Sequence, residues 1–184
     1  MGYMIIETQN YRLRSFVPED LDDYYAQVYG DADVMRYISG GQARSRERTN
    51  DVLMFAMRHE KTYGFSIWAL LNRAEDTFIG HCGLIHPGDA PEVELVCALG
   101  KSFQKQGAGP EAATASLRYG LETLGLDRII GLAYPENMPS RKGMEKIGMT
   151  YVGETDRYYN ATLVQYQLEH AGWQPSSAFY HLIP

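Results

Sequence analysis

The stretch Gln104-Lys105-Gln106-Gly107-Ala108-Gly109-Pro110-Glu111-Ala112 constrains this chain more than any other. It follows an apolar run at 93–99 and precedes an alanine-rich segment with helical spacing at 113–124. The pattern is that of a strand, a glycine loop and a helix start. Gly107 and Gly109 can take positive φ and let a ligand approach the backbone where a Cβ would block it. Pro110 suits the first helical turn, where its missing N–H is no loss. Glu111 sits at the favourable end of the helix dipole. The free N–H groups of such a loop form an anion site best matched to phosphate.

Three phosphate-loop readings compete, beside an ordinary glycine entry into a helix. A Walker loop needs Gly-Lys-Ser/Thr after its glycines, and Gly109-Pro110-Glu111 does not supply it. The dinucleotide pattern G-x-G-x-x-G/A is formally met by Gly107, Gly109 and Ala112. That motif starts directly after its strand and has an acidic residue at the end of the next one. Here seven residues separate Leu99 from Gly107, and the next strand runs into Tyr134-Pro135. The third reading is Q/R-x-x-G-x-G/A, an acyl-CoA pyrophosphate loop, which Gln104, Gly107 and Gly109 fill. Six residues alone leave the plain helix entry on equal terms with it.

Composition narrows the classes. At 184 residues, 45% of them apolar, the chain can bury one substantial core, which points to a single domain over 1–184. No apolar run approaches the ~20 residues of a membrane span, and Met1-Gly2-Tyr3-Met4 opens no signal pattern. A cytoplasmic protein without a membrane partner is the expectation. A net charge of −6 argues against nucleic acid as a partner. Cys82 and Cys97 lie in strand-like runs and read as core thiols. Five scattered histidines show no ligand spacing, so no metal site is expected. Charge is uneven, however: residues 101–146 hold seven Lys/Arg against five Asp/Glu. That is either a solvated helix face or a positive field around a polyanion.

A second stretch stands thirty residues downstream, Pro135-Glu136-Asn137-Met138-Pro139-Ser140-Arg141-Lys142-Gly143-Met144-Glu145-Lys146-Ile147-Gly148-Met149. With the loop, it resembles the GNAT N-acetyltransferases, in particular the branch of ribosomal-protein N-terminal acetyltransferases, with their P-x-N-x-x-S and E-K-x-G segments. Tyr11-Arg12-Leu13-Arg14, Pro18-Glu19-Asp20-Leu21, Asp33-Val34-Met35-Arg36-Tyr37-Ile38, Ile79-Gly80-His81-Cys82-Gly83-Leu84 and Glu92-Val93-Glu94-Leu95 are similar to further family stretches. The resemblance covers roughly residues 10–168.

Periodicity gives the order of elements independently. A strand is expected at 11–16, then a helix from Pro18 with Leu21, Tyr24, Tyr25 and Val28 on one face and Gly30 as its stop. A second helix at 45–63 has Ser45 as cap and Val52, Phe55, Ala56 and His59 inward. His59 reads as a satisfied, half-buried histidine. Strands at 65–72, 78–85 and 93–99 are joined by short turn-rich links that suit antiparallel pairing. After the loop helix come a strand at 128–134, a helix at 139–147 and strands at 150–158 and 162–168. Residues 1–10 give no signal. The order βααβββαβαββ is α+β in class, with helices on both faces of a mixed central sheet, an α/β/α sandwich-like arrangement. The resemblance implies the same GNAT order.

The resemblance also implies chemistry. Acetyl-CoA would be the acyl donor, without metal, and the acceptor a primary amine on a protein N-terminus or small molecule. Backbone N–H groups from Gln104, Lys105, Gln106, Gly107, Ala108 and Gly109 would bind the pyrophosphate. The strand ending at Leu99 would pair with the pantetheine amides, Asn137 would hold that arm, and Arg141 and Lys142 would meet the nucleotide phosphate. Ser140 would protonate the departing thiolate, because Met144 stands where many relatives place a tyrosine; the alternative is that Ser140 caps its helix. Glu94 would serve as base, its pKa and that of Glu92 raising one another; a solvated edge pair is the alternative. Lys105 stands where close relatives have glycine. The tail at 171–184 matches nothing and is open to three roles: a cover for the core, a homodimer contact or a wall of the acceptor pocket. A non-catalytic acyl-CoA-binding module is the rival reading, and a dinucleotide-binding domain a distant third. Acetyl-CoA should therefore raise the melting temperature through binding to the native state, with NAD and ATP doing much less. Equal stabilisation by NAD in a thermal-shift titration would overturn the loop assignment.

Overall fold

Runs of β-branched and aromatic residues condense into nine strands in a computed structural model that describes residues 4–38, 40–174 and 177–183. They are β1 (Ile5–Thr8), β2 (Tyr11–Arg14), β3 (Ile67–Asn72), β4 (Phe78–Ile85), β5 (Glu94–Leu99), β6 (Arg128–Ala133), β7 (Thr150–Thr155), β8 (Leu163–Glu169) and β9 (Tyr180–Ile183). One mixed sheet holds them all, in the order β7-β8-β6-β5-β4-β3-β2-β1-β9. Every neighbouring pair is antiparallel except β5 with β6. That parallel pair meets at a single register position, Glu94 with Ile130, where Ile130 N–H donates to Val93 O at 2.8 Å. Beyond it the two strands part.

The helices are α1 (Leu21–Tyr24), α2 (Ala32–Met35), α3 (Arg46–Tyr63), α4 (Ala108–Arg118) and α5 (Met138–Lys146). Ser45 caps α3 by accepting from Arg48 N–H, and Gly64 ends it with φ of 78°. On one face of the sheet, α4 and α5 cover Leu70, Ile79, Leu84 and Ile129. On the other, the α1 segment and α3 cover Ala69, Leu71, Phe78 and Ala98. The central strands β3 and β4 are accordingly buried on both sides, from Ile67 to Leu71 and from Phe78 to Leu84.

Several expectations are corrected. Residues 5–8, silent in the sequence, form β1 between β2 and β9. Asp31 caps the unforeseen α2, accepting from Asp33 and Val34 N–H. After α1 the helix widens: Gly30 N–H donates to Tyr25 O at 2.7 Å, an i→i+5 closure. The extra residue in that turn carries Tyr25 outward and brings Tyr29 inward beside Tyr24 and Val28. The inward face of α3 is Thr49, Leu53, Ala56 and His59, so Phe55 is exposed. Thr49 tolerates the core because its hydroxyl donates to Ser45 O at 3.0 Å. Cys82 is buried as expected, but Cys97, its cross-strand partner, is exposed. In the tail, Trp173 packs on the core with Nε1 donating to Glu122 at 2.8 Å, and 180–183 add the ninth strand. Covering the core is among the three roles expected for this tail, and Trp173, Tyr180 and Leu182 pack there; Pro175, Ser176 and Pro184 lie outside the described residues.

The two glycines of Gly80-His81-Cys82-Gly83 have a packing reason. A Cβ on Gly80 would lie 2.9 Å from Leu99 Cα, and one on Gly83 would lie 2.7 Å from Ile67 Cα. Both neighbours are backbone, so no rotamer change relieves the overlap. Gly83→Ala should cost about 3 kcal/mol or more, at or beyond the upper end for overpacking a core. Urea unfolding of the purified variant measures it.

Candidate active site

Local chain chemistry builds the loop that follows β5. Gln104 Nε2 donates to Leu99 O at 3.1 Å, and Gln106 Nε2 donates to Ser102 O at 2.6 Å. Both amides thus fold back on the chain and shape the loop, and Gln104 N–H, expected at the pyrophosphate, donates instead to Lys101 O at 3.4 Å. Lys105 has φ of 62°, a left-handed conformation that explains why a glycine would suit this position. Gly107 takes φ of 90° as the N-cap of α4, and a Cβ there would meet nothing within 4 Å. Gly109, by contrast, is helical, which corrects the expectation of a second positive φ. Its value is room: a Cβ would stand 3.7 Å from Leu99 Cδ1. Ala108 is buried, and no side chain caps α4. Glu111 is turned away to Asn10, whose N–H and Nδ2 donate to its oxygens at 2.8 and 2.9 Å. The leading N–H groups of α4 therefore stay open to an anion.

Next to this loop lies the gap between β5 and β6. Along a strand, alternate residues turn their backbone groups to the same neighbour. Val93 O bonds Ile130 N–H, so Leu95, Cys97 and Leu99 present theirs to the gap. A linear chain carrying amides fits that unpaired edge, with its anionic end at the glycine loop.

Glu94 stands at the point of parting. It is 4% exposed, and burial pushes its pKa up to about 7. The Tyr159 hydroxyl donates to Glu94 Oε2, which works in the opposite direction. Glu92 behaves differently. Its own backbone N–H, and then Arg157 at 2.9 Å, hold it below the usual carboxylate range. The expected mutual raising of the two carboxylates does not operate: burial raises Glu94, and Glu92 is neutralised by an arginine. Nor are they a solvated pair, since Glu94 is enclosed.

Across the gap, Asn137 caps α5, its side chain accepting from Ser140 N–H at 3.3 Å. The cap is thus Asn137 and not Ser140, whose half-buried hydroxyl makes no hydrogen bond among the described residues. Arg141, expected at the nucleotide phosphate, is turned inward instead. It donates to Pro135 O at 2.8 Å and Tyr166 Oη at 3.3 Å, fastening α5 to β8. Lys142 is exposed. Met144 is buried against Gly131, where a Cβ would come within 2.5 Å of its Sδ. A cleft of about 310 Å³ is lined by Arg36, Tyr37, Gly40 and Gly41 after α2 and by Tyr134 and Glu136 after β6.

A glycine loop at an uncapped helix start, a parted strand pair and an enclosed carboxylate are now in one place. The profile of the Acetyltransferase (GNAT) domain matches residues 10–150. The chain belongs to the GNAT acetyltransferase family. It is 31% identical over 150 residues to the N-acetyltransferase YnaD of Bacillus subtilis, covering 82% of this chain and 85% of that one. YkkB of the same organism is 30% identical over 164 residues, covering 87% and 92%. A GNAT acetyltransferase from Bacillus anthracis superposes with a TM-score of 0.78 at 25% identity, covering 91% of this chain and 99% of that one. The fold is also that of RimL, a ribosomal L7/L12 acetyltransferase solved with coenzyme A (TM-score 0.76, 14% identity, covering 91% and 99%).

For a GNAT acetyltransferase, two features of this site carried little signal in the sequence. Tyr159 is one of fourteen tyrosines, and only its place before a turn hinted at a constrained position. His81 lies buried on β4 with Nδ1 3.0 Å from Tyr24 Oη, and burial pushes its pKa down to about 4. Glu94 generates a stability prediction with a definite sign. Its folded pKa is raised, so the stability present below pH 4.5 is lost progressively as pH rises through 7. Glu94→Gln removes that titration. The variant should gain stability over wild type at pH 8, by on the order of 3 kcal/mol at most, and the gain should vanish near pH 4.5. Chemical denaturation at the two pH values checks it.

Proposed function

We propose that this enzyme moves the acetyl group of acetyl-CoA to a primary amine by direct attack, with both substrates bound. The observation that carries the reading is Glu94, an enclosed carboxylate poised near neutrality where β5 and β6 part. Amide formation from a thioester needs a neutral amine, a stabilised oxyanion and a proton for the thiolate. Each has a residue here. Glu94, directly or through water, takes the ammonium proton; a base near pH 7 is matched to that task. A backbone N–H of β5 facing the gap polarises the acyl oxygen. Ser140 supplies a proton as the C–S bond breaks and the C–N bond forms. Holding both reactants in line along the gap supplies much of the acceleration.

The residues fit the donor. Backbone N–H groups from Lys105 to Gly109 would hold its pyrophosphate, and Leu95, Cys97 and Leu99 would pair with its amides. Asn137 retains its Nδ2 for the pantetheine arm, and Lys142 stands exposed beside it for phosphate. The cleft lined by Arg36, Tyr37, Tyr134 and Glu136 would admit the acceptor, whether a protein N-terminus or a small amine. Kinship of fold with RimL supports the peptide option, and the open cleft accepts either. Release of free thiol from acetyl-CoA with a panel of peptide and small amines tests the activity and ranks the acceptors.

Ser140→Ala should lower kcat and kcat/KM together with little change in acetyl-CoA affinity, as expected of a group acting only in the transition state. Because Asn137 already caps α5, thermal melting should be nearly unchanged. Turnover within about twofold of wild type in steady-state assays would assign the proton to another group.

A further inference from the structure

The turn between β7 and β8 is built at a cost. Tyr159 and Asn160 have φ of 57° and 51°, two consecutive residues in the left-handed region. Asparagine tolerates this conformation; a tyrosine is disfavoured there. What the conformation achieves is specific. The Tyr159 residue is 54% exposed, yet its hydroxyl reaches Oε2 of a carboxylate that is 4% exposed. Among the described residues, no other group hydrogen-bonds the Glu94 carboxylate.

We propose that Tyr159 is a positioning residue for acetyl transfer: its left-handed turn lays the ring over Glu94 and pins one carboxylate oxygen, leaving the other to the acceptor amine. The inference rests on the reading of Glu94 as base. A carboxylate free to rotate would present either oxygen in several directions; one pinned at Oε2 offers Oε1 in a fixed direction. The ring also shields the carboxylate from bulk water, so that a proton taken from the amine is not exchanged for a hydration shell. Other titratable groups around this point are engaged elsewhere. Glu92 pairs with Arg157, which lies over the Tyr158 ring at 5.3 Å. His86, after β4, donates Nδ1–H to Glu92 O at 2.9 Å. On the helix side, His81 is tied to Tyr24, and Arg44 lies over Tyr29 at 5.5 Å. From β6 the register partner of Glu94 is Ile130, which does not titrate. Among the described residues, Tyr159 is thus the group whose hydrogen bond bears on how Glu94 holds its proton.

Two substitutions separate the hydroxyl from the ring. Tyr159→Phe keeps the cover and removes the donor, so the ionised carboxylate loses a stabilising bond and Glu94 should titrate higher. The acid limb of kcat/KM should move up by about one pH unit, giving a five- to tenfold loss at pH 6.5 that shrinks as pH rises to 9. The carboxyl carbon-13 shift of Glu94, followed by NMR, should move with it. Tyr159→Ala also removes the cover, and its Glu94 should titrate below that of Tyr159→Phe. A merely structural role would lower melting and activity at every pH and leave the limb where it is. If the limb and the Glu94 titration both stay within 0.2 unit of wild type in Tyr159→Phe, the proposal is overturned. Glu94→Gln distinguishes that failure from failure of the underlying reading. A variant that keeps both rate and limb would remove Glu94 as base, and the role of Tyr159 with it. Loss of the limb in Glu94→Gln, with no shift in Tyr159→Phe, would sink Tyr159 alone.

Discussion

One register position, Glu94 against Ile130, joins the two halves of the sheet along β5 and β6. Everything distinctive about the site follows from how little pairing there is. On its far side β6 is fully satisfied by β8 over Arg128–Ala133, and β5 is fully satisfied by β4 over Glu94–Leu99. Among the described residues their facing edges have no strand partner past the vertex, though Leu99 O accepts from Gln104 Nε2. Backbone donors and acceptors inside a protein are almost always paired, so an interior edge of this kind is a standing demand for a ligand with a peptide-like backbone. The glycine loop then fixes which end of that ligand points where. It places uncapped helix N–H groups at the end of β5, and an anion is the group they accept best.

The same enclosure sets the electrostatics. Helices on both faces dry the middle of the sheet, and two ionisable groups buried in it are pushed toward neutrality from opposite directions. Burial raises Glu94 and lowers His81. Their contributions to stability slope oppositely. A buried neutral histidine favours the fold increasingly as pH climbs from about 4 to 6.5, and a buried carboxylate penalises it from 4.5 to about 7. Over most of that span the two slopes offset one another.

How much of this was legible in the sequence varies with the range of the interaction responsible. Local chemistry read well: Ser45 as cap, Gly30 as stop, Gly107 as a left-handed residue of the loop and His59 as satisfied, its Nδ1 donating to Phe65 O. The family motifs were local too. What failed was set by tertiary packing. The i→i+5 turn that exchanges Tyr25 for Tyr29, and the one-position rotation of the α3 face toward Thr49 and Leu53, follow from neighbouring layers that periodicity does not contain. Strand β1 is four residues long and exists because β2 and β9 flank it. In the site, Glu94 was legible as a residue, but the source of its altered pKa was not. Burial raises it, and the arginine that neutralises Glu92 comes from sixty-five positions later in the chain.

The pairing of β1 with β9 has a consequence for how the molecule is assembled. Ile5 lies opposite Ile183, so the contact joins residues 178 positions apart. Contacts of such separation form late, because the chain entropy of closing the loop is lost before the pairing returns anything. Until then the outer side of β1 is an open edge, able to pair with a strand of another molecule. During synthesis that edge waits until β9, far later in the chain, has emerged. Strand β9 is thus the element that covers β1, and once paired it becomes the outer edge of the sheet in its place.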